Sequence, residues 1–188
     1  WMPSGDNPPD NNGRKFVLVT LPYLNGSEGE GDCWYLETQP VNAWDFVWVE
    51  SPVFDFSALT EPHISFDIKH LLDNYSSYSR FHVEYSLDGG NSWDQLGSGS
   101  DFNWYNTTDW WTDTENDPLD EWTHVQRNLC FLAGEPCVKF RVRGRGYHDD
   151  QVDFAFDNFR IANNSSDAAI TNFIYPLIED EICTFGDN

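Results

Sequence analysis

The chain has 188 residues, with 10 Lys and Arg against 32 Asp and Glu, a formal net charge of -22, and 9 Trp within a 16% aromatic content. Phosphate recognition needs clustered Lys and Arg, so this balance excludes nucleic acid as a natural partner and disfavours anionic membrane surfaces and highly sulfated glycans. The length suits one domain of about 160 residues plus a remnant, and no apolar run approaches the roughly 18 residues of a membrane-spanning helix.

Residues 1–15, rich in Pro, Asn and Asp, read as an irregular leading segment. Residues 15–21 (KFVLVTL) form the first strand, residues 25–32 (NGSEGEGD) a Gly-rich acidic loop, and a short strand starts at Cys33. Residues 45–53 carry Phe46, Val47, Trp48 and Val49 into Glu50-Ser51-Pro52, and this strand ends at Phe54 and Phe56. A turn over 57–62 follows. Ile64, Phe66 and Ile68 then alternate with Ser65, Asp67 and Lys69, the period-2 signature of a strand with one buried face.

Beyond a polar loop at 71–80 lies the clearest signal, residues 81–96 (FHVEYSLDGGNSWDQL). Phe81, Val83 and Tyr85 alternate with His82, Glu84 and Ser86. Asp88-Gly89-Gly90-Asn91 supplies the positive-φ residues of a tight turn, and Trp93 and Leu96 resume the apolar pattern, which makes a β-hairpin. Residues 97–121 form the longest irregular stretch, and loops beyond about 12 residues usually serve function or motion.

Residues 122–129 are another strand. Val138, Phe140 and Val142 alternate with Lys139, Arg141 and Arg143, so the next strand has a basic outer face, and most of the few positive charges lie near it. In residues 154–161 (FAFDNFRI) the apolar phase slips after Phe156 to Phe159 and Ile161, which implies a bulge near Asp157-Asn158. Residues 163–167 (NNSSD) read as a linker and 169–178 open a new strand. The pattern predicts an all-β fold, an antiparallel β-sandwich of jelly-roll topology over 1–162, with 163–188 as linker and first strand of a following domain. A chain opening at Trp1 without a leader is read as a piece of a longer secreted protein.

Of the four cysteines, Cys130 and Cys137 flank a short connection, a spacing that suits a disulfide across adjoining strand ends; a zinc site is the alternative. Cys33 either pairs with Cys183 or leaves Cys183 to the following domain. An oxidising, extracellular setting is the expected context. The five histidines are isolated, with no HExxH and no GxSxG, so a non-catalytic module is expected, with a catalytic jelly roll that uses a pair of its many carboxylates as the alternative.

Two clusters share the long loop. Trp104, Tyr105, Trp110 and Trp111 stand beside Asn103, Asn106 and Asp109, the mixture of flat rings and polar groups that stacks on a sugar; the alternative is that these rings cover an open sandwich edge. Asp113, Glu115 and Asp117, with Asp120, place oxygens at alternate positions as a Ca²⁺ loop would, without the Gly and terminal Glu of an EF-hand. A solvated acidic loop competes with that reading.

The ordered set Glu50-Ser-Pro-Val-Phe-Asp-Phe56, Ile64-Ser-Phe-Asp67, Val83 to Trp93 (VEYSLDGGNSW), Val138-Lys-Phe-Arg141 and Phe154 to Ile161 resembles a MAM-like, concanavalin A-like jelly-roll module of secreted Bacteroidetes proteins. The segment after Asn163 resembles the opening of an Ig-like repeat. The resemblance implies export by type IX secretion, a place in a multi-domain cell-surface protein, and neighbouring domains of the same chain as partners, with a glycan or cell-surface ligand besides. It also implies a structural Ca²⁺ where early and final strands meet, with Glu50 and Asp157 as ligand candidates; otherwise Asp157 simply caps its bulge. Expected, then, is a calcium-stabilised adhesion or spacer module, with a carbohydrate-binding module as the alternative.

Overall fold

Among the described residues the chain forms ten strands: β1 (Met2–Gly5), β2 (Phe16–Val19), β3 (Cys33–Leu36), β4 (Val47–Phe54), β5 (Pro62–Leu72), β6 (Arg80–Ser86), β7 (Asp94–Gln95), β8 (Thr123–Asn128), β9 (Val138–Arg145) and β10 (Val152–Asn163). They come from a computed structural model that describes residues 1–5, 16–19, 31–36, 46–72, 80–97, 104, 121–145 and 152–163. The strands pair as a nested hairpin: β6 with β7, β5 with β8, β4 with β9, β3 with β10. Rolling that long hairpin over adds the β6–β9 and β5–β10 ladders. This winding is the jelly roll. It yields a first sheet in the order β1-β4-β9-β6-β7 and a second in the order β2-β3-β10-β5-β8.

Between the sheets, Val47, Val49, Phe81, Val83, Phe140 and Val142 meet Ile64, Phe66, Ile68, Val125, Phe154 and Phe156, each 0–1% exposed. Burying a side chain of this size contributes about 1.5–3 kcal/mol. These are the inward residues of the predicted alternation.

Two irregularities interrupt the ladders, both at places the sequence marks. In β10 the register shifts between Asp157 and Arg160, and Asn158 takes φ 51°. Asp157 Oδ1 accepts the Asn158 N–H at 2.7 Å, and Asn158 Nδ2 donates to Asp67 Oδ2 at 3.0 Å. The slip keeps Phe159 on the core side, where its ring lies 6.1 Å from that of Phe66. In β4 the register shifts between Glu50 and Val53, where Pro52 has no N–H to donate. Ser51 Oγ fills the gap, accepting the Phe140 N–H at 2.9 Å and donating to the Pro52 carbonyl at 2.7 Å.

Two expectations are corrected here. The leading segment is not wholly irregular: β1 pairs with β4 from Met2↔Glu50 to Gly5↔Val47, and the Trp1 ring packs edge-on against Phe159 at 4.7 Å. The β8–β9 connection holds a short 3-10 turn, Cys130–Leu132. The Cys130–Cys137 bridge does not form. Cys130 begins that turn with an exposed, free thiol, whereas Cys137 is buried and bonded in a disulfide that excludes Cys130. Backbone hydrogen bonds from Gly134 N to Phe56 O (3.0 Å) and from Phe56 N to Glu135 O (2.8 Å) fold the connection back over residue 56. Cys33 is also free, so it has no bridge to Cys183. Burial, followed by the nearby Asp157 and Asp32 carboxylates, pushes the Cys33 thiol up to about 11.

Candidate functional site

Strand β9 lies between β4 and β6, which sets its basic row, Lys139, Arg141 and Arg143, at the middle of the first sheet's outer face. Register then fixes the neighbours. Trp48 and His82 flank Arg143, Glu50 and Glu84 flank Arg141, and Ser86 lies beside Lys139. The expected outward row of β6 is therefore not solvated: His82 and Glu84 are each 7% exposed.

One carboxylate gathers this cluster. Glu84 accepts from Arg141 Nε, from Arg143 Nη1 at 3.1 Å and shares a 2.8 Å hydrogen bond with His82 Nε2. Burial by itself would raise its pKa, but the hydrogen bonds and charges of His82 and Arg141 outweigh burial and hold it down at about 2. Glu50, the second carboxylate, accepts from Lys139 Nζ at 2.5 Å and from the Trp48 indole at 3.0 Å.

Aromatic rings form the upper layer. The Arg141 guanidinium carbon sits 4.9 Å from the Trp48 ring centre and 4.4 Å from that of Trp93, while Arg143 lies 3.9 Å from the Phe46 ring centre. Such cation–π contacts are worth about 0.5–2 kcal/mol, more where desolvated. Phe46, Trp48 and Trp93 are all half-buried, leaving part of each ring at the surface.

The β6–β7 turn sets the Trp93 ring. Gly89 and Gly90 take φ 72° and 105°, which a side-chain-bearing residue resists. Asp88 accepts from Ser86 Oγ (2.7 Å), Ser92 N (2.9 Å) and Ser92 Oγ (2.5 Å), and these bonds hold its carboxyl well below the usual range. Trp93 Nε1 donates to the Gly90 carbonyl at 2.9 Å. Both indole N–H groups of the platform are thus satisfied locally, and each ring is fixed in angle. The arrangement can stack on a flat ligand and hydrogen-bond its edge.

The sequence-predicted site residues fare differently. Trp104 is corrected: it is 5% exposed, donates Nε1 to the Leu96 carbonyl at 2.7 Å and lies edge-on to Phe66 at 5.5 Å. It is core, because its one polar atom finds a backbone acceptor and the rest of the ring fills space beneath β5. Tyr105, Trp110, Trp111, Asp113, Glu115 and Asp117 lie outside the described residues. Glu50 and Asp157 are not brought together. Glu50 belongs to the first sheet and is taken by Lys139 and Trp48, while Asp157 belongs to the second and caps its own bulge. These two carboxylates do not fit a shared Ca²⁺, and the described residues hold no group of three or more His, Cys, Asp or Glu arranged for a metal ion. Trp48, Trp93 and Glu84 were not singled out as site residues. The signal for them was the basic outer row of β9, whose significance depended on which strands lie beside it.

No family model and no curated protein matches the chain. Among solved structures it is similar to TmCBM61 in complex with β-1,4-galactotriose, with TM-score 0.51 and 13% identity over 86% of each chain. It is also similar to the K1 cleaved adhesin domain of Lys-gingipain from Porphyromonas gingivalis W83 (TM-score 0.49, 13% identity, 86% of this chain and 90% of that one). A third is the CBM22-1 xylan-binding domain of Paenibacillus barcinonensis Xyn10C (TM-score 0.40, 14% identity, 85% of this chain and 83% of that one). The likeness to TmCBM61 is one of fold, and nothing in these comparisons is specific to MAM-type modules. The chain is an all-β sandwich whose structural neighbours are carbohydrate-binding modules and an adhesin domain.

Proposed function

We propose that the chain is a non-catalytic β-sandwich module of a secreted, multi-domain cell-surface protein, and that it binds carbohydrate through the outer face of its first sheet. The observation that carries this reading is the platform of two half-buried indoles, Trp48 and Trp93, held on either side of Arg141 on a hydrogen-bonded sheet. Sugar recognition needs rings fixed in advance, since ordering them at binding costs affinity. The fold shared with TmCBM61, whose structure contains a galactotriose, supports the reading as fold-level analogy. Attachment to surface glycans is itself a form of adhesion, so the adhesive role belongs to the same reading.

The test is binding to a panel of plant and microbial polysaccharides, followed by calorimetry with oligosaccharides of whichever binds. Trp93→Ala and Trp48→Ala are each expected to weaken binding about tenfold or more, the equivalent of ~1.4 kcal/mol. Retained affinity in both variants, with the fold intact by circular dichroism, would overturn the assignment of this face.

A further inference from the structure

Arg141 holds more binding capacity than the protein uses. Its side chain is 12% exposed, and its Nε is bonded to Glu84. That is the hydrogen bond Arg141 makes among the described residues, which leaves the two Nη groups, four N–H donors, without a protein acceptor there. Neither Nη is a sealed, unsatisfied atom. The forked end therefore reaches the surface between Trp48 and Trp93. A guanidinium fixed at Nε and gripped by two rings has lost its rotamer freedom already, so a ligand that meets the fork pays little entropy.

We infer that this face takes an acidic sugar, with the carboxylate of a uronic acid received edge-on by the Arg141 fork and the flanking sugars stacked on Trp48 and Trp93. This rests on the carbohydrate reading above and narrows it. A neutral glycan offers a planar cation only uncharged hydroxyl acceptors, whereas a carboxylate presents two charged, coplanar oxygens at the spacing of two parallel N–H···O bonds. The surrounding charges favour an anion at this one place. Glu84 shares its single negative charge among Arg141, Arg143 and His82, so it does not cancel Arg141. Glu50, across the β4–β9 ladder from Arg141, is neutralised by Lys139 at 2.5 Å, which reduces its repulsion of an incoming carboxylate. The net charge of -22 sets the limit. A densely charged polyanion is repelled by the rest of the molecule, so the ligand carries isolated carboxylates among neutral residues.

Calorimetry on the full chain tests this with uronic-acid-bearing oligosaccharides prepared from glucuronoxylan and from the alternating rhamnogalacturonan of pectin, before and after reduction of their carboxyl groups to neutral alcohols. At least one acidic form is expected to bind about tenfold tighter than its reduced counterpart, as a charge-assisted bidentate pair should. Arg141→Lys keeps a cation beside Glu84 but removes the fork, and is expected to erase that difference while Trp93→Ala weakens both forms alike. Equal affinity for acidic and reduced forms overturns the inference, as does a preference that survives Arg141→Lys. Binding of neutral polysaccharides alone rejects the acidic ligand and leaves the carbohydrate reading standing; no binding to any polysaccharide rejects both.

Discussion

Glu84→Gln is the substitution on which the electrostatic account of the first sheet's outer face depends most. The wild-type carboxyl titrates at about 2, against 4.5 for the unperturbed group. A depression of that size corresponds to about 3 kcal/mol of stability, at 1.36 kcal/mol per unit. The side chain is 9% exposed, so solvent screens little of it. Because the folded pKa is lowered, the contribution is fully present above the unfolded pKa and is lost as pH falls through the folded one. Substituting Gln leaves Arg141, Arg143 and His82 facing a neutral amide, and removing one partner of a buried pair costs about 3–5 kcal/mol. Urea unfolding at pH 7 should then show the variant less stable by about 3 kcal/mol, or roughly 6–12 °C in Tm for a chain of this length. The gap between wild type and variant should begin to close below about pH 4.5 and continue closing toward pH 2. A gap under about 1 kcal/mol at pH 7, or one that stays constant between pH 5 and 3, would refute the reasoning.

Four further outcomes follow from the described geometry. Trp104→Ala should destabilise by about 3–5 kcal/mol, as emptied aromatic core positions do, and leave glycan affinity of the still-folded protein unchanged; a selective loss of binding would restore Trp104 to the ligand face. Gly97→Ala should also destabilise, by about 1–3 kcal/mol, because φ there is +90° and a Cβ would lie 2.6 Å from Arg127 Nη1 and 2.8 Å from the Trp104 ring; chemical denaturation measures it. In the native protein a thiol reagent should modify Cys130 and spare Cys33 until the chain unfolds, as mass spectrometry of the labelled peptides would show; prompt labelling of Cys33 would contradict its burial. For calcium, Glu50→Gln should leave any Ca²⁺-dependent shift in Tm unaltered, since Glu50 is committed to Lys139 and Trp48; disappearance of such a shift would reinstate Glu50 as a ligand.

What the sequence made legible was whatever one strand determines by itself. The alternation of Phe81 and Val83, the turn at Asp88 to Asn91 and the phase slip at Asp157 each depend on neighbours within a few residues, and each is present in the structure. The site was hidden because it exists only across strands. His82 and Glu84 occupy the polar phase of β6 and read as solvated, yet they are covered because β9 places two arginines beside them and Trp48 and Trp93 above those. Trp104 failed in the opposite direction. Its polar neighbours in sequence suggested exposure, and only the approach of the Leu96 carbonyl and Phe66 in space makes it core.

The nested winding also constrains the order in which this molecule comes into being. Strand β10 lies between β3 and β5 at the centre of the second sheet, although some 120 residues of sequence separate it from β3. Until residue 163 has been released, β3 and β5 have no shared neighbour and the Phe154 and Phe156 rings are missing from the core. Folding therefore cannot proceed element by element behind an export channel or a ribosome, and closing such distant pairings is slow. A truncation ahead of β10 leaves two open strand edges facing each other across a vacant row, the form of chain most apt to pair with copies of itself.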